Sequence, residues 1–187
     1  MVIRSVFPRL RFKNFHEGEA ATHQAGEGDM TMAKGNPNMG GQGLYLVLGC
    51  GDVGFVVASR LKCRDVEVAV IERDASKVEG LRWHGYAAFL GDFSSPEVLK
   101  GAGIEGAGVV VITVRDFPTI KRALNAISQL KTQRGISPLV LTLVSDEAEV
   151  PEAKRLGADE ALPSNQILAD FALGRLDELK SIKRLAN

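Results

Sequence analysis

The sequence predicts an α/β fold in which a doubly wound, parallel, six-stranded sheet of order 3-2-1-4-5-6 is followed by a C-terminal helix. Three observations predict this fold. Short apolar runs alternate with amphipathic segments six times, each intervening segment is long enough for a right-handed parallel crossover, and a glycine-rich turn follows the first run. This strand order would create a crevice at the carboxyl ends of strands 1 and 4, where the winding of the sheet reverses.

The strands are predicted from short apolar runs. A parallel strand is covered on both faces, so its sequence is continuously apolar rather than alternating. The run GVVVITV is the most β-branched in the chain, and LYLVLG ends in a glycine that suits a tight turn. The predicted strands are residues 44–49, 66–72, 86–92, 108–114, 139–145 and 158–163.

The helices are predicted from apolar residues at helical spacing and from signals at their ends. In the second helix Val78, Leu81 and Trp83 are the apolar positions, and Gly85 closes the helix. Pro96 lies in the first turn of the third helix, where its missing N–H costs nothing. The predicted helices are residues 51–62, 75–85, 96–102, 118–133, 149–157 and 164–187.

The composition fits one domain and excludes several classes of protein. With 187 residues and 45% hydrophobic content the chain can form one core, and a second full domain would hardly fit. The 23 basic and 23 acidic residues leave no surplus of positive charge for binding nucleic acid. No apolar run approaches the roughly 18 residues of a membrane span. We therefore expect neither a nucleic-acid partner nor direct insertion into a membrane.

The two cysteines, Cys50 and Cys63, form no CxxC pair and have no histidine cluster beside them. Such usage is typical of a reduced, cytoplasmic chain without a disulfide framework or a zinc site. Charges interrupt the opening residues too often for a signal peptide. We expect a cytoplasmic protein without a bound metal.

The chain divides into three parts. Residues 16–43 contain few apolar side chains at any regular spacing, so they are expected to be a flexible tail, and residues 1–43 together are expected to form a disordered N-terminal extension. Residues 1–15, which are basic and contain three phenylalanines, could instead dock on an anionic surface or a partner. Residues 44–163 form the predicted sheet domain, and residues 164–187 form the final helix. That helix has more apolar surface than one sheet edge would cover, which predicts a partner surface. Its apolar residues are Ile167, Leu168, Phe171, Leu173, Leu176, Leu179 and Ile182.

A GxGxxG motif joins the first predicted strand to the first predicted helix, which is the context of a dinucleotide-binding, Rossmann-type fingerprint. Gly49 permits the tight turn, Gly51 lets a pyrophosphate approach the backbone, and Gly54 lets the helix pack closely on the sheet. The helix N-terminus would offer free N–H groups and a partial positive charge to phosphate groups. The residues of the motif are Gly49, Cys50, Gly51, Asp52, Val53 and Gly54.

Glu72 ends the second predicted strand, where the fingerprint expects an acid that accepts hydrogen bonds from ribose hydroxyls. A carboxylate there would repel a 2′-phosphate, which favours NAD(H), ATP, ADP or AMP over NADP as the ligand. Arg73 directly follows and could partly reverse that preference. Arg73 and Asp74 complete the predicted ligand contacts at this strand end.

Two further strand ends face the predicted crevice. Asp92 ends the third strand, where adenine contacts are usual in such folds, and Phe93 follows it. Thr113, Val114, Arg115 and Asp116 end the fourth strand beside the crevice, and the first three are the predicted ligand contacts. A helix-flanking role for Asp92 and a solvated surface position for Arg115 are the alternatives.

From Tyr45 to about Ala172 the chain resembles the RCK N-terminal domain, or TrkA-N (KTN) family, of potassium channel and transporter regulators. Five motifs match in order, namely LVLGCGDVG, VAVIERDASKVEGL, the GD of FLGDFSSPEVLKGAGIEGA, VVVITVRD and LGADEALPSNQILADFAL. The resemblance implies a cytoplasmic domain that binds NAD(H) or an adenine nucleotide and forms a homodimer or a higher assembly. It also implies that the ligand regulates a membrane potassium channel or transporter, and that the final helix crosses to a second subunit.

The resemblance also assigns roles by position, to a phosphate loop, a ribose acid, an adenine-side acid and a rim at the fourth strand. The phosphate loop corresponds to Gly49, Gly51 and Gly54, and the ribose acid corresponds to Glu72. The adenine-side acid corresponds to Asp92, and the rim at the fourth strand corresponds to residues 113–115. Asp52 departs from the pattern, because many members carry a basic residue there. An acid beside the phosphates should weaken or redirect binding unless its side chain turns out to solvent or caps the helix. A related archaeal arrangement places a similar lobe ahead of a DHH-type phosphoesterase domain.

We expect a sensor rather than an enzyme. A dehydrogenase needs a substrate-binding segment with a positioned acid or base, and only one helix follows the sixth predicted strand. Neither Tyr45 nor Tyr86 has the Lys four residues later that short-chain dehydrogenases use. The alternatives are a small NAD-dependent oxidoreductase, a lobe acting with a DHH-type phosphoesterase, and a scaffold that has lost its ligand. Redox sensing by Cys50 is a further hypothesis, because a helix N-terminus can lower a thiol pKa.

Overall fold

The computed structural model describes residues 43–185. The disordered extension expected at residues 1–43 lies outside the described residues, apart from Gly43. The two residues at the C-terminus also lie outside them.

Six strands form one sheet in which every neighbouring pair is parallel. They are β1 (Leu44–Leu48), β2 (Val68–Glu72), β3 (Ala87–Leu90), β4 (Ala107–Ile112), β5 (Leu139–Val144) and β6 (Glu160–Pro163). Their order is β3-β2-β1-β4-β5-β6, which confirms the predicted topology. Leu48, the last residue of β1, pairs with Ile71 of β2 and with Ile112 of β4. The carboxyl ends of these three strands therefore lie at one edge of the sheet.

Helices connect the strands and extend the chain beyond the sheet. They are α1 (Asp52–Lys62), α2 (Ala75–Trp83), α3 (Pro96–Gly101), α4 (Phe117–Arg134), α5 (Val150–Arg155) and α6 (Ser164–Leu185). Two short 3-10 turns, Ile104–Gly106 and Glu147–Glu149, precede β4 and α5. The first has no counterpart in the predicted elements, and the second includes Glu149, the first residue of the predicted helix 149–157. The fold is thus the Rossmann-type α/β fold that the sequence predicts, with a C-terminal helix.

The core has two layers, one on each face of the sheet. Leu46 and Leu48 of β1 belong to one buried cluster, together with apolar side chains of α3, α4 and α5. Val47, between them in sequence, belongs to a second cluster with Ala58 of α1 and Val78 of α2. Successive side chains of a strand point to opposite faces, so β1 is apolar throughout because both of its faces are covered.

The second helix differs from its prediction at its C-terminal end. Val78 and Leu81 are buried as expected, but Trp83 is 89% exposed because, two residues after Leu81, it lies on the opposite side of the helix. Gly85 has a positive φ of 71° just beyond the helix end. The Lys62 ammonium of α1 donates to the carbonyl oxygens of His84 and Gly85, both at 2.8 Å. The chain reversal after α2 is thus held by a lysine from the neighbouring helix.

The final helix α6 packs on little of the described structure. Its described side chains from Asn165 to Lys180 are all exposed. Six of them are large and apolar, with exposed fractions between 48% and 66%, namely Ile167, Leu168, Phe171, Leu173, Leu176 and Leu179. No helix among the described residues is both long enough and apolar enough to cross a membrane.

Candidate functional site

A cleft of about 320 Å³ opens at the carboxyl ends of β1 and β4, within the range of small-molecule sites. It lies where the strand order reverses, at the position that the sequence predicts for a crevice. Its lining is formed by Gly49, Cys50, Gly51, Asp52, Val53, Glu72, Thr113, Val114, Arg115 and Asp116. All of these except Asp116 are among the predicted site residues.

The turn from β1 to α1 needs glycine at two positions for different reasons. Gly49 has a φ of 90°, and an added Cβ would lie 2.6 Å from Cγ1 of Val114. An added Cβ at Gly54 would overlap the carbonyl oxygen of Gly49 and lie 2.6 Å from the Thr113 hydroxyl. Only a bare backbone lets α1 approach the ends of β1 and β4 this closely.

Gly51 is the N-cap of α1 and faces open space, since an added Cβ would meet nothing within 4 Å. No side chain caps this helix. Within the described part of the chain, no group accepts a hydrogen bond from the N–H groups of residues 51–54. A helix leaves its first N–H groups without intrahelical partners, and here they remain free at the cleft.

The carboxylate of Glu72 joins the β1–α1 turn to the β2–α2 turn. Its Oε2 accepts a hydrogen bond from the Cys50 N–H at 2.6 Å. Its Oε1 accepts from the N–H groups of Arg73 at 2.7 Å and Asp74 at 3.1 Å. A carboxylate has roughly four acceptor positions, so these three bonds leave capacity for one more donor.

Thr113 holds the same turn from the other side of the cleft. It is only 6% exposed. Its hydroxyl lies 2.8 Å from the Gly49 carbonyl oxygen and 3.2 Å from that of Leu48, and its backbone N–H donates to Leu48 at 3.0 Å. The turn is therefore fixed by β4 as well as by Glu72.

Five predicted site residues do not line the cleft. One of them, Gly54, is buried against the carbonyl group of Gly49. Asp74 is the N-cap of α2 and accepts from the N–H groups of Ser76 and Lys77. Phe93 is a core residue with 1% exposure, so its side chain packs inside rather than against a ligand. Arg73 and Asp92 are exposed outside the lining.

Asp92 takes the helix-flanking role that the sequence leaves open as an alternative. Its carboxylate accepts from the backbone N–H of Ser94 at 2.9 Å and from the Ser94 hydroxyl at 2.7 Å. These bonds lower the pKa of Asp92, and the positive charges of Arg73 and Arg122 lower it further. The carboxylate is therefore ionised and engaged beside the turn that follows β3.

The Cys50 thiol does not have the lowered pKa that the redox hypothesis requires. Burial raises its pKa and the negative charge of Glu72 raises it further, while Lys77 opposes them. The side chain lies in the core beneath the turn, with 6% exposure. A thiol with a raised pKa stays protonated at neutral pH and is a poor nucleophile, so Cys50 is a small packed side chain and the pKa gives the redox hypothesis no support.

Asp116 lines the cleft, although the sequence places it beside the crevice without predicting a ligand contact. It is the N-cap of α4, where its carboxylate accepts from the backbone N–H and the hydroxyl of Thr119. These bonds lower the pKa of Asp116. An acid placed two residues before Pro118 is a helix-start signal, so the sequence does contain the pattern that locates it.

The chain matches the TrkA-N domain family over residues 45–163. It belongs to that family. The matched range runs from β1 to the end of β6, so the family's domain includes the whole sheet and the cleft. The resemblance stated from the sequence motifs is confirmed.

Solved structures with the same fold include three from different proteins. The TrkA-N domain of the inner membrane protein ybaL from Escherichia coli is 21% identical, has a TM-score of 0.66, and the match covers 74% of this chain and 99% of that one. The NAD(P)-binding domain of an exopolyphosphatase-related protein from Archaeoglobus fulgidus is 22% identical, with a TM-score of 0.60 and coverage of 73% and 97%. The GsuK channel bound to NAD is 16% identical, with a TM-score of 0.62.

The extent of these matches differs. The GsuK match covers 71% of this TrkA-N chain but only 23% of the channel chain. The ybaL and Archaeoglobus matches instead cover nearly the whole of those solved chains. At these identities the comparisons establish the shared Rossmann-type fold.

Proposed function

We propose that this TrkA-N domain is a non-catalytic nucleotide sensor that binds NAD(H), or alternatively ATP, ADP or AMP, in the cleft at the ends of β1 and β4. The bound nucleotide changes the geometry of a homodimer and thereby regulates a membrane potassium channel or transporter. A ligand can do this only by binding two arrangements of the assembly unequally. The domain would act in the cytoplasm, beside the membrane that holds its partner.

The observation that carries this proposal is the row of free backbone donors at the start of α1. Three of the residues that bear them, Gly51, Asp52 and Val53, line the cleft. A helix N-terminus with free N–H groups and a positive dipole end binds phosphate without needing a basic side chain. The open space over Gly51 is where a pyrophosphate would approach the backbone.

Glu72 supports the ribose assignment. Its carboxylate lies at the end of β2, lines the cleft and keeps acceptor capacity beyond its three backbone bonds. A ribose hydroxyl could donate to the remaining position, as the dinucleotide fingerprint requires. A 2′-phosphate brings no donor and adds negative charge, so this geometry favours NAD(H) and the adenine nucleotides over NADP.

The polar groups of the cleft support sensing rather than chemistry. Thr113 and Glu72 both use their side chains to hold the backbone of the β1–α1 turn. The raised pKa of Cys50 keeps its thiol protonated. Covalent catalysis needs a nucleophile beside a base that can take its proton, and the described side chains of the cleft form no such pair.

The partner proposal rests on α6 and on the channel structure. A surface of six exposed large apolar side chains is typical of a contact with another chain, and a second copy is the simplest partner. The GsuK channel, which shares the fold, has been solved bound to NAD and bound to ADP. These observations favour a dimeric regulator of a channel or transporter.

Calorimetric titration of the purified protein with NAD⁺, NADH, ATP, ADP and AMP tests the proposal. We expect saturable binding of at least one of them. Replacing Glu72 with Ala should weaken it roughly 10-fold or more, because a charge-assisted hydrogen bond contributes about 1.5–3 kcal/mol. Glu79→Ala removes an exposed acid of α2 outside the cleft and serves as the control. Absence of binding by all five nucleotides would overturn the proposal.

A second candidate is a lobe that acts with a DHH-type phosphoesterase. The structural match to the NAD(P)-binding domain of the Archaeoglobus exopolyphosphatase-related protein favours it over the oxidoreductase alternative. Size-exclusion chromatography of this protein mixed with a DHH-type phosphoesterase from the same genome distinguishes the two candidates. Co-elution, with phosphoesterase activity that responds to nucleotide, would favour the second candidate over a potassium transport partner.

A further inference from the structure

The charges around the cleft are unequal. Its lining contains three carboxylates, those of Asp52, Glu72 and Asp116, and one guanidinium, that of Arg115. Two of the three carboxylates have partners, since Glu72 accepts from backbone N–H groups and Asp116 caps α4. Asp52 differs from both of them.

Asp52 is the first residue of α1 and is exposed to solvent. In the described part of the chain its carboxylate has neither a hydrogen bond nor an ion pair. Its own N–H group is one of the free donors that face the cleft. A carboxylate without a side-chain partner therefore lines the cleft at the helix N-terminus where the phosphates of a nucleotide would bind.

Arg115 is the matching unpaired cation of the lining. Its backbone carbonyl accepts from the Ser145 hydroxyl at 3.2 Å, but no described group pairs with its guanidinium. The lining side chains therefore contribute three negative charges and one positive charge, so they add no net positive charge for phosphates. Among the groups that line the cleft, the attraction for phosphates comes from Arg115, the free N–H groups and the helix dipole, which is equivalent to roughly half an elementary charge.

We propose that Asp52 makes the cleft selective for ligands of low phosphate charge, so that it binds NAD⁺ in preference to ADP and ATP. This inference rests on the proposed nucleotide-binding function and names which of its ligands the site takes. The pyrophosphate of NAD⁺ has no terminal phosphate, and its nicotinamide ring is positive. ADP and ATP end in a terminal phosphate with nearly two negative charges, and each added phosphate increases the repulsion from Asp52.

The size of the effect follows from Coulomb's law. At a water-exposed rim two unit charges about 4 Å apart interact by about 1 kcal/mol, which corresponds to roughly fivefold in affinity for each added ligand charge. The effect must also fall as the salt concentration rises, since exposed charges are screened over about 10 Å at 0.1 M salt. A merely structural role of Asp52 would not produce this dependence on both ligand charge and salt.

The test is calorimetric titration of the wild-type protein and of Asp52→Asn with AMP, ADP, ATP and NAD⁺ at low and high salt. Asp52→Asn removes the charge and keeps the shape of an exposed side chain. We expect the variant to bind ATP roughly fivefold or more tighter than the wild type does, ADP somewhat less so, and NAD⁺ with the smallest change. The gain for ATP should shrink at high salt.

Two further variants make the result specific. Arg115→Gln should act in the opposite direction and weaken ATP more than NAD⁺. Glu79→Gln, an exposed acid of α2 outside the cleft, should leave the ratio of ATP to NAD⁺ affinity unchanged. If Asp52→Asn also leaves that ratio unchanged while the protein still binds nucleotide, the selectivity role is overturned and the proposed function stands. If the wild type binds none of the four, the selectivity role is overturned, and if NADH also fails to bind, the proposed function is overturned with it.

Discussion

At the scale of single residues, three groups fix the turn between β1 and α1. Gly54 brings its bare backbone against the Gly49 carbonyl, Thr113 donates its hydroxyl to the same carbonyl, and Glu72 accepts from the Cys50 N–H. Each contact comes from a different part of the sequence. The turn is thus held by β2 and β4 as well as by its own residues.

Replacing two glycines of this turn with alanine should have different effects, one on the stability of the fold and the other on nucleotide binding. Gly54→Ala should destabilise the fold by about 1–3 kcal/mol, because its Cβ would overlap backbone that cannot move away. Gly51→Ala should change stability by less than about 1 kcal/mol, since its Cβ meets open space, but should weaken nucleotide binding by filling that space. Urea unfolding measures the stabilities and calorimetry the affinities. Equal stability losses in the two variants would contradict this account of the turn.

Asp92 should make stability depend on pH in a defined direction. Its bonds with Ser94 lower its pKa below the ordinary value of 3.8. Its contribution to stability is therefore present above that value and is lost as the pH falls through the lowered pKa. Asp92→Asn should cost less than about 1 kcal/mol near neutral pH, because the group is exposed and screened by solvent.

The measurement is urea unfolding of both proteins near pH 6 and near pH 3, roughly on either side of the carboxyl titration. The difference in unfolding free energy between wild type and Asp92→Asn should shrink at the lower pH. A difference of the same size at both values would mean that ionisation of Asp92 does not stabilise the fold.

Residue roles were predictable where a backbone requirement selects the residue type. The GxGxxG spacing identifies Gly49, Gly51 and Gly54, and each has the expected neighbourhood. Phe93 follows a strand end, as a ligand contact would, but nothing in its own sequence position indicates that it turns into the core. That depends on the packing of distant segments, which spacing does not encode.

At the scale of elements, the sequence predicts strands and long helices well but misplaces their ends. The strands are shorter than predicted because polar or glycine residues at their edges enter turns, as Gly91 and Asp92 do after β3. The segment 149–157 is predicted as one helix but divides into a 3-10 turn and α5 at Val150. An acidic capping box at Asp146 and Glu149 starts the turn earlier than apolar spacing suggests.

The exposed face of α6 gives a prediction at this scale. Phe171→Glu places a charge within that face and should convert a dimer into a monomer, because a buried unpaired charge is costly at an interface. Sedimentation equilibrium measures the mass in solution. Trp83→Glu, at an exposed aromatic of α2, is the control and should remain dimeric. A Phe171→Glu protein that keeps the dimer mass would exclude α6 from the interface.

At the scale of the whole molecule, the strand order decides where the site can be. From β1 the sheet grows first towards β2 and β3 on one side and then towards β4, β5 and β6 on the other. The connections that leave β1 and β4 therefore diverge, and the cleft opens between the ends of these two strands. This position was predictable because it follows from connectivity and the handedness of crossovers. The arrangement of α6 was not predictable, because the sequence shows that this helix has more apolar residues than the sheet edge can cover but does not identify the surface that covers them.

Ligand binding should stabilise the domain as a unit. Nucleotide at about 100 times its dissociation constant adds roughly 2.7 kcal/mol to the unfolding free energy, which corresponds to a rise of roughly 5–15 °C in Tm for a domain of this size. Differential scanning calorimetry with and without NAD⁺ measures the shift. An unchanged Tm at saturating NAD⁺ would argue that the cleft does not bind it.

The bonds that Thr113 and Glu72 make to the β1–α1 turn also determine how quickly the domain can respond. Because the turn is already in place, association requires no ordering of the backbone, and little conformational entropy is lost on binding. The association rate constant is then set by diffusion of the nucleotide into the cleft, and differences in affinity between nucleotides arise from their dissociation rate constants. The binding phase of a rapid-mixing trace with NAD⁺ should therefore have a rate that rises linearly with nucleotide concentration, without the plateau that a slow loop closure would impose. The proposed change in dimer geometry would follow as a separate phase.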